Sequence, residues 1–484
     1  MNIVWFKRDL RLSDHLPLLE AIKADEPTLL LYIYEPSLIN DRHYSIRHWR
    51  FVQQSLNVLN EVLIKAGNKI YIFYGNATEV FGYLIKNYPV KNIYSHVETG
   101  LKLTYQRDLD LNDLFKNNKI QWFEYNQNGV KRGLKNREGW VKNWYDFMQK
   151  EIPHIEVNKV RPVDLTIPEV FQIRKSFQKK LLTLNNEMQR GGFNYARRYL
   201  RSFLLKRHQD YNKNISKPNL SFKSCSRLSP YLAWGNISVR EVYQYVGSKQ
   251  NLANKRSISA FKSRLRWHCH FIQKFEMEHE MEWRPINKGY DLLEYDFDQK
   301  IYNAWRTGNT GFPMVDASMR SLIRKGYVNF RMRAMLISFL CHLCNQSWEN
   351  ASTWLSKLFL DFEPGIHYPQ IQMQAGLTGI NTIRIYNPVK QAYENDEKGN
   401  FIKEFVPELK DVPVPLLFEP HKLTASEQIM YNCRIGEDYP KPLFELSKAY
   451  SAARERLWKL HKSAPVKNDK NRILKKHTVK DRKV

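Results

Sequence analysis

Over the first 130 residues the apolar positions change rhythm repeatedly. Short runs rich in β-branched and aromatic residues occur at NIVWF (2–6), LLLYIYE (29–35), KIYIFYG (69–75), NIYSH (92–96) and QWFEY (121–125). Between them lie stretches with apolar residues three and four apart: DHLPLLEAI, HYSIRHWRFVQQSLNVLNEVLIKAG and ATEVFGYLIKNY. Strand-like runs alternating with helical periods predict an α/β unit with a doubly wound parallel sheet. Asp14 is placed to cap the first helix and Gly67 to end the second. There is no GxGxxG and no P-loop in this unit, so a ligand is expected at the carboxyl ends of the strands on grounds of fold alone.

From 131 to 185 the periodicity fades into a basic, proline-punctuated connector, suited to lie across a surface between domains. From 186 to 460 the pattern is almost wholly helical, as in YARRYLRSFLLKRHQDY, ISAFKSRLRWHCHFIQKF and LSKAYSAARERLWKLHK. Residues 461–484 are rich in Lys and Arg and poor in aromatics, which predicts a disordered basic tail. The predicted architecture is an α/β domain (1–130), a linker (131–185) and an all-α domain (186–460), with no internal repeat.

The stretch from Gly311 to Pro388 carries an anomaly. Met314, Val315, Met319, Leu322 and Ile323, then Met335, Leu336, Phe339 and Leu340, give it an apolar face, yet Arg320, Arg324, Arg331 and Arg333 are set into it. A buried guanidinium needs a carboxylate or a bound anion. Asp361 and Glu363 follow as internal candidates, and a salt-bridged helix surface is the plain alternative.

A length of 484 residues exceeds what one core usually serves, so two domains are expected. No apolar run is long enough to span a membrane, and the start of the chain has no signal-peptide pattern. Five cysteines do not form a disulfide framework, and a cytoplasmic location fits them. The net charge of +27 points to a polyanionic partner such as nucleic acid, and 12 Trp, 27 Tyr and 25 Phe supply rings to stack on bases or a flavin. WHCH (267–270) is not a metal site, because consecutive helical residues point in different directions. Cys341 and Cys344 form an isolated CxxC in an apolar helix and read as buried thiols. No metal is expected.

WFKRDLRLSDH, SRLSPYL, AWRTGNTGFPMVDASMR, RMRAMLISF and RIYNP, in this order, resemble the photolyase/cryptochrome flavoprotein family over nearly the whole chain. The resemblance implies an N-terminal antenna domain, a linker and a helical domain holding FAD. It implies FAD contacts from the loop Cys225, Ser226, Arg227, Leu228 and Ser229, from Tyr211, Phe261, Arg264 and Asn329, and from Arg333, Asp361 and Glu363. Cys225 stands where a threonine is usual. DNA contacts are implied for Arg331, Arg384 and His268, beside Trp267. The implied activity is light-driven electron transfer from reduced FAD to a UV-induced pyrimidine dimer flipped out of DNA, by a monomer. The alternatives are a cryptochrome-type blue-light photoreceptor without repair activity, and a basic nucleic-acid-binding protein in which the flavin is secondary. An antenna chromophore is compatible with the resemblance, and its identity is not legible in variable loops.

The chain departs from the family at several positions. YPQIQ (368–372) stands where a W-x-W is usual, and Arg264 where cyclobutane-dimer enzymes carry a glutamate. Phe330 takes the place of an asparagine, with Asn329 beside it. The residue facing flavin N5 is Ile366 or His367. The electron relay is expected to use Trp348 as its middle member and Tyr295 as its outer one, with its inner member near Tyr368 or Pro369.

Overall fold

The computed structural model describes residues 1–249 and 253–479. Strands β1 (Asn2–Phe6), β2 (Thr28–Tyr34), β3 (Ile70–Tyr74), β4 (Asn92–His96) and β5 (Gln121–Tyr125) form one parallel sheet in the order β3-β2-β1-β4-β5. Alternation along each strand sorts its side chains to two faces. Val4, Phe6, Leu30, Tyr32 and Tyr34 join a core continuous with the helical domain. Ile3, Trp5, Leu29, Leu31 and Ile33 pack on the other face against Phe81, Leu84 and Phe115. Burial on both faces explains why the strands read as unbroken apolar runs. The order reverses between β1 and β4, and their carboxyl ends open onto the helical domain.

Two local readings change. A helix, Lys102–Asn117, joins β4 to β5, and its sequence KLTYQRDLDLNDLFKN has too little apolar periodicity to announce it. The first helix, Leu16–Lys23, is capped by His15, whose Nδ1 accepts from Leu18 N at 3.2 Å. Asp14 instead adopts a left-handed backbone (φ 48) and pairs with Arg240 and Ser238 of the helical domain.

The connector runs back over the sheet. Arg161 O accepts from Thr28 N at 2.8 Å, and Val163 O from the Tyr71 hydroxyl at 2.6 Å. Its helix Trp140–Gln149 buries Trp140, Trp144 and Met148 in the shared core.

In the helical domain, Lys255–Met277 packs against Pro364–Gln374. Gly365 allows the close approach, since a Cβ there would fall 2.8 Å from Ile272 Cα. The expected disordered tail is corrected over 464–477. Ala464–His477 is a helix that buries Val466 and Ile473, with Arg472 paired to Glu278 and Asp469. Two buried apolar side chains over four turns, flanked by ion pairs, hold this helix while leaving too sparse an apolar stripe to announce it. Residues 480–484 of the expected tail lie outside the described residues. No helix among the described residues is long and apolar enough to cross a membrane.

Candidate functional site

Asn329 caps the helix Phe330–Ser338 and so sets Arg333 one turn in. Arg333 donates to both oxygens of Asp361, Nη1 to Oδ1 at 3.1 Å and Nη2 to Oδ2 at 2.9 Å, while its Nε donates to Val328 O at 2.9 Å. The guanidinium also lies 4.1 Å from the centre of the Phe359 ring. This two-pronged pairing fixes the plane of the guanidinium. Burial works to raise the Asp361 carboxyl, but Arg333 outweighs it, helped by the Ser229 side chain, and holds it below the usual carboxylate range.

Ser229 ends the loop that begins at Cys225. Arg227, within that loop, has φ 59, an uncommon conformation for a bulky residue and one that gathers at functional sites. Its guanidinium sits 3.7 Å from the Tyr327 ring centre, and its Nη2 donates to Gln189 at 2.8 Å, while its buried Nε has no partner. Leu228 is buried and precedes the short helix Ser229–Ala233. Burial pushes the Cys225 thiol up to about 11, so it stays neutral. Behind the loop, Tyr211, Phe203 and Phe261 form an aromatic wall with ring centres 4.7–6.1 Å apart. Burial pushes the Tyr211 hydroxyl up to about 12, and the nearby charge of Arg264, on the exposed side of Lys255–Met277, works against the rise.

The third wall is the helix Pro364–Gln374. Glu363 caps it, accepting from Gly365 N at 3.2 Å, and pairs with Arg8 at 3.2 Å. Burial raises Glu363 in spite of that cation. Arg8 comes from the loop after β1 and also donates to Ala233 O at 3.0 Å and Phe362 O at 2.5 Å. Burial pushes His367 down to about 3, leaving it neutral, with its Nε2 3.0 Å from the Ser352 hydroxyl. The His367 ring lies against Phe359, centres 6.0 Å apart, and Ile366 beside it is half-buried.

Other expected residues fall in different places. Trp267 is 42% exposed, Arg384 is exposed, and Arg331 is half-buried with an unpartnered Nε. His268 does not join Trp267 on that outer face. One step on along a helix turns a side chain by about 100°, and His268 lines the cleft between domains with Arg8 and Glu363. Asn329 serves as a structural cap: it accepts from Met332 N at 3.3 Å and donates to Ile215 O at 3.1 Å. Arg320 pairs with Glu408 and Arg324 with Glu187, so these two arginines belong to salt-bridged surface. Trp348 is buried and Tyr295 half-buried, and neither has a ring partner among the described residues. Tyr368 stacks on Phe275 with centres 5.7 Å apart. Cys269, Cys341 and Cys344 are buried free thiols.

Sequence reasoning missed three buried groupings: Arg8 with Glu363, Asp41 with His43 and Tyr368, and Asp9 with His15 and His96. Each joins residues far apart in the chain, so no local spacing announces it. The last has the look of a metal centre, but hydrogen bonds account for it. Asp9 Oδ1 accepts from Lys7 N at 2.7 Å and Oδ2 faces His96 Nδ1 at 2.6 Å. His15 Nδ1 accepts from Leu18 N, which puts its proton on Nε2, 3.1 Å from Asp9 Oδ2, and leaves no lone pair there for an ion.

Comparison with known proteins agrees with this geometry. The family model "FAD binding domain of DNA photolyase" matches residues 261–459, and "DNA photolyase" matches 2–130. The chain is 27% identical to a deoxyribodipyrimidine photo-lyase of Alkalihalophilus pseudofirmus, over 93% of this chain and 96% of that one. It is also 27% identical to a cryptochrome DASH of Synechocystis sp., over 94% and 97%. The solved Synechocystis cryptochrome superposes with a TM-score of 0.83 at 24% identity, covering 94% of this chain and 98% of that one. A bacterial class III photolyase from Agrobacterium tumefaciens superposes with a TM-score of 0.82 at 24% identity, covering 96% and 98%. At that identity the superpositions speak for the fold: an N-terminal α/β domain with a C-terminal helical one. With both domain models matched in order along one chain, the protein belongs to the photolyase/cryptochrome flavoprotein family.

Proposed function

We propose that this protein repairs UV-damaged DNA with light, as a deoxyribodipyrimidine photolyase does, using FAD held in the helical domain. The observation that carries the reading is the Arg333–Asp361 pair, fixed in plane by two hydrogen bonds. The residues fit an anionic cofactor, since Arg227 keeps a buried, unpartnered N–H in a left-handed stretch of that loop. In this reading Ser226, Arg227 and Ser229 hold the pyrophosphate, and Tyr211 and Phe261 back it. Arg333 stabilises negative charge on the ring system, Asp361 positions Arg333, and His367 lies against the ring. Reduced FAD, when bound, supplies a light-excited electron that splits a pyrimidine dimer and is then returned. The chain contributes a dry pocket, a fixed cation and a route for the lesion past exposed Trp267, with Arg331 and Arg384 to meet phosphates. The net charge of +27 supports a polyanionic substrate. The reading places a monomer in the cytoplasm, in keeping with the free cysteines.

One observation favours a second reading, a blue-light photoreceptor without repair. An exposed arginine, Arg264, stands where the resemblance expects a lesion-binding glutamate. The deciding experiment is direct. The purified protein should show flavin absorption, and under blue light it should restore oligonucleotides carrying a cyclobutane dimer or a (6-4) product. Flavin with both lesions untouched selects the photoreceptor, and a colourless protein removes both readings.

A further inference from the structure

Arg137, in the connector, is 1% exposed. Its guanidinium stacks over Trp140, 4.0 Å from the ring centre, and its Nη2 donates to His270 Nδ1 at 2.9 Å. Its buried Nε has no partner, and no carboxylate pairs with it among the described residues. Elsewhere in the chain a largely buried arginine is neutralised: Arg107 has Glu35, Glu98 and Asp108, and Arg240 has Asp14. Burial with no such partner pushes Arg137 down to about 9.

His270, Lys274 and Glu278 follow one another at four-residue steps along the helix Lys255–Met277 and its end, so they line one side of it. Lys274 is 7% exposed and makes no side-chain hydrogen bond or ion pair among the described residues, and burial pushes it down to about 8 against the pull of Glu278. Glu278 is already taken by the C-terminal helix, through Arg472 and through Lys476 Nζ at 3.2 Å. The other acids nearby are taken too. Asp469 pairs with Arg472 Nε at 2.6 Å, and Glu276 accepts from Gly133 N at 2.9 Å and Gln273 Nε2 at 3.1 Å. His477, next after Lys476, is 6% exposed, and both its ring nitrogens are buried without a partner. Burial, with the charges of Lys274, Lys476, Arg137 and Arg472, keeps that ring neutral. Lys274 thus lies one turn from the anchor of Arg137 at His270 and one turn from the anchor of the C-terminal helix at Glu278.

Buried donors with no acceptor left to them call for an anion, because an unpaired internal charge is costly. The donors come from three segments and differ in kind: a guanidinium N–H, an ammonium and an imidazole N–H. An ion with several oxygens can accept from all three at once. We propose that Arg137, Lys274 and His477 bind a small free oxyanion of the phosphate or sulfate class, which pins the C-terminal helix Ala464–His477 to the connector and to the helix Lys255–Met277. The site is independent of the flavin reading. All three side chains are more than nine-tenths buried, which admits a free ion and keeps out a polymer backbone. Lys255–Met277 also carries Phe261 of the aromatic wall and exposed Trp267, so the ion steadies the element that presents them.

The test is calorimetric titration of the full chain with inorganic phosphate in about 0.5 M sodium chloride, which screens exposed lysines far more than buried ones. The wild type should take up one phosphate per chain, and sulfate should displace it. Lys274→Met keeps the length of the side chain without its charge, and should weaken binding on the order of tenfold or more, the scale of one charge-assisted hydrogen bond. Lys475→Met, exposed on the same C-terminal helix, should bind as the wild type does. Phosphate should also slow tryptic cleavage within 464–477 in the wild type and not in Lys274→Met. His477→Phe removes both ring nitrogens near the end of the chain and should show the same two losses, which keeps the test decisive if Lys274→Met does not fold. No saturable binding in the wild type, or wild-type affinity in Lys274→Met or in His477→Phe, overturns the proposal. Displacement of the phosphate by a single-stranded oligonucleotide overturns it as well, since the donors would then serve a nucleic-acid backbone.

Discussion

Arg333 and Asp361 show what one residue does to another in this pocket. Asp361 is buried, its side chain 6% exposed, and only the guanidinium keeps it ionised at low cost. Removing one partner of such a pair costs about 3–5 kcal/mol. Arg333 is 20% exposed, so about 3 kcal/mol is expected for Arg333→Ala. The pH dependence carries the sign. In the wild type the Asp361 carboxyl is held below its ordinary 3.8, so its contribution is present above that value and lost as pH falls through the folded pKa. Without Arg333, burial dominates and the carboxyl moves above 3.8. The deficit should then be largest near neutral pH and shrink as acid protonates the orphaned group. Urea unfolding of both proteins at neutral and mildly acidic pH measures this. A deficit that does not change with pH would mean that the loss is one of packing. The pair was legible because RMRAMLISF and the acid downstream carry the family resemblance. The partner of Glu363 was not, because Arg8 reaches it through the fold and no spacing rule connects them.

At the scale of elements, the five strands were legible to within a residue or two, since burial on both faces leaves an apolar run in the inner strands and aromatic residues mark the edge strand Gln121–Tyr125. Helices that rely on few apolar contacts were not. Lys102–Asn117 and Ala464–His477 are strongly charged, and the second read as a solvated tail. Its contacts make it structural. Asn287 Nδ2 donates to Val466 O at 3.0 Å, Asp469 Oδ2 accepts from Lys288 N at 2.9 Å, and a Cβ on Gly289 would fall 2.4 Å from Val466 N. Deleting residues 464–484 should uncover Ile286 and Tyr290 and leave Asn287 without its acceptor. A loss of about 2–4 kcal/mol in urea is expected, from two buried aliphatic side chains and the stranded polar groups. If the tail only solvated the chain or gripped DNA, the deletion would leave the unfolding midpoint unchanged and weaken DNA binding alone.

The whole molecule is joined along a seam rich in neutral histidine, and that sets its response to acid. His48 of the N-terminal domain faces Phe359 O across the seam at 2.8 Å, His96 pairs with Asp9 at the end of β4, and His367 lies 3.0 Å from the Ser352 hydroxyl beside the Phe359 ring. Burial pushes each of the three down to about 3 from an ordinary 6.5. A folded pKa below the unfolded one means that the unfolded chain binds more protons. Stability is therefore full above about pH 6.5 and falls with acid down to the folded values, by up to about 1.4 kcal/mol per pH unit for each histidine. Three together amount to about 4 kcal/mol by pH 5.5, a large share of the 5–15 kcal/mol that holds a typical protein folded. The depressed carboxyls Asp9 and Asp361 titrate only below 3.8 and leave this window unaffected. The urea midpoint should thus begin to fall below about pH 6.5, with these three rings alone accounting for close to three of the protons taken up on unfolding near pH 5. His48→Gln removes one titrating ring from the seam and should reduce that uptake by about one proton. A midpoint that stays flat from pH 7.5 to 5.5 would show that these histidines open to water without the domains separating.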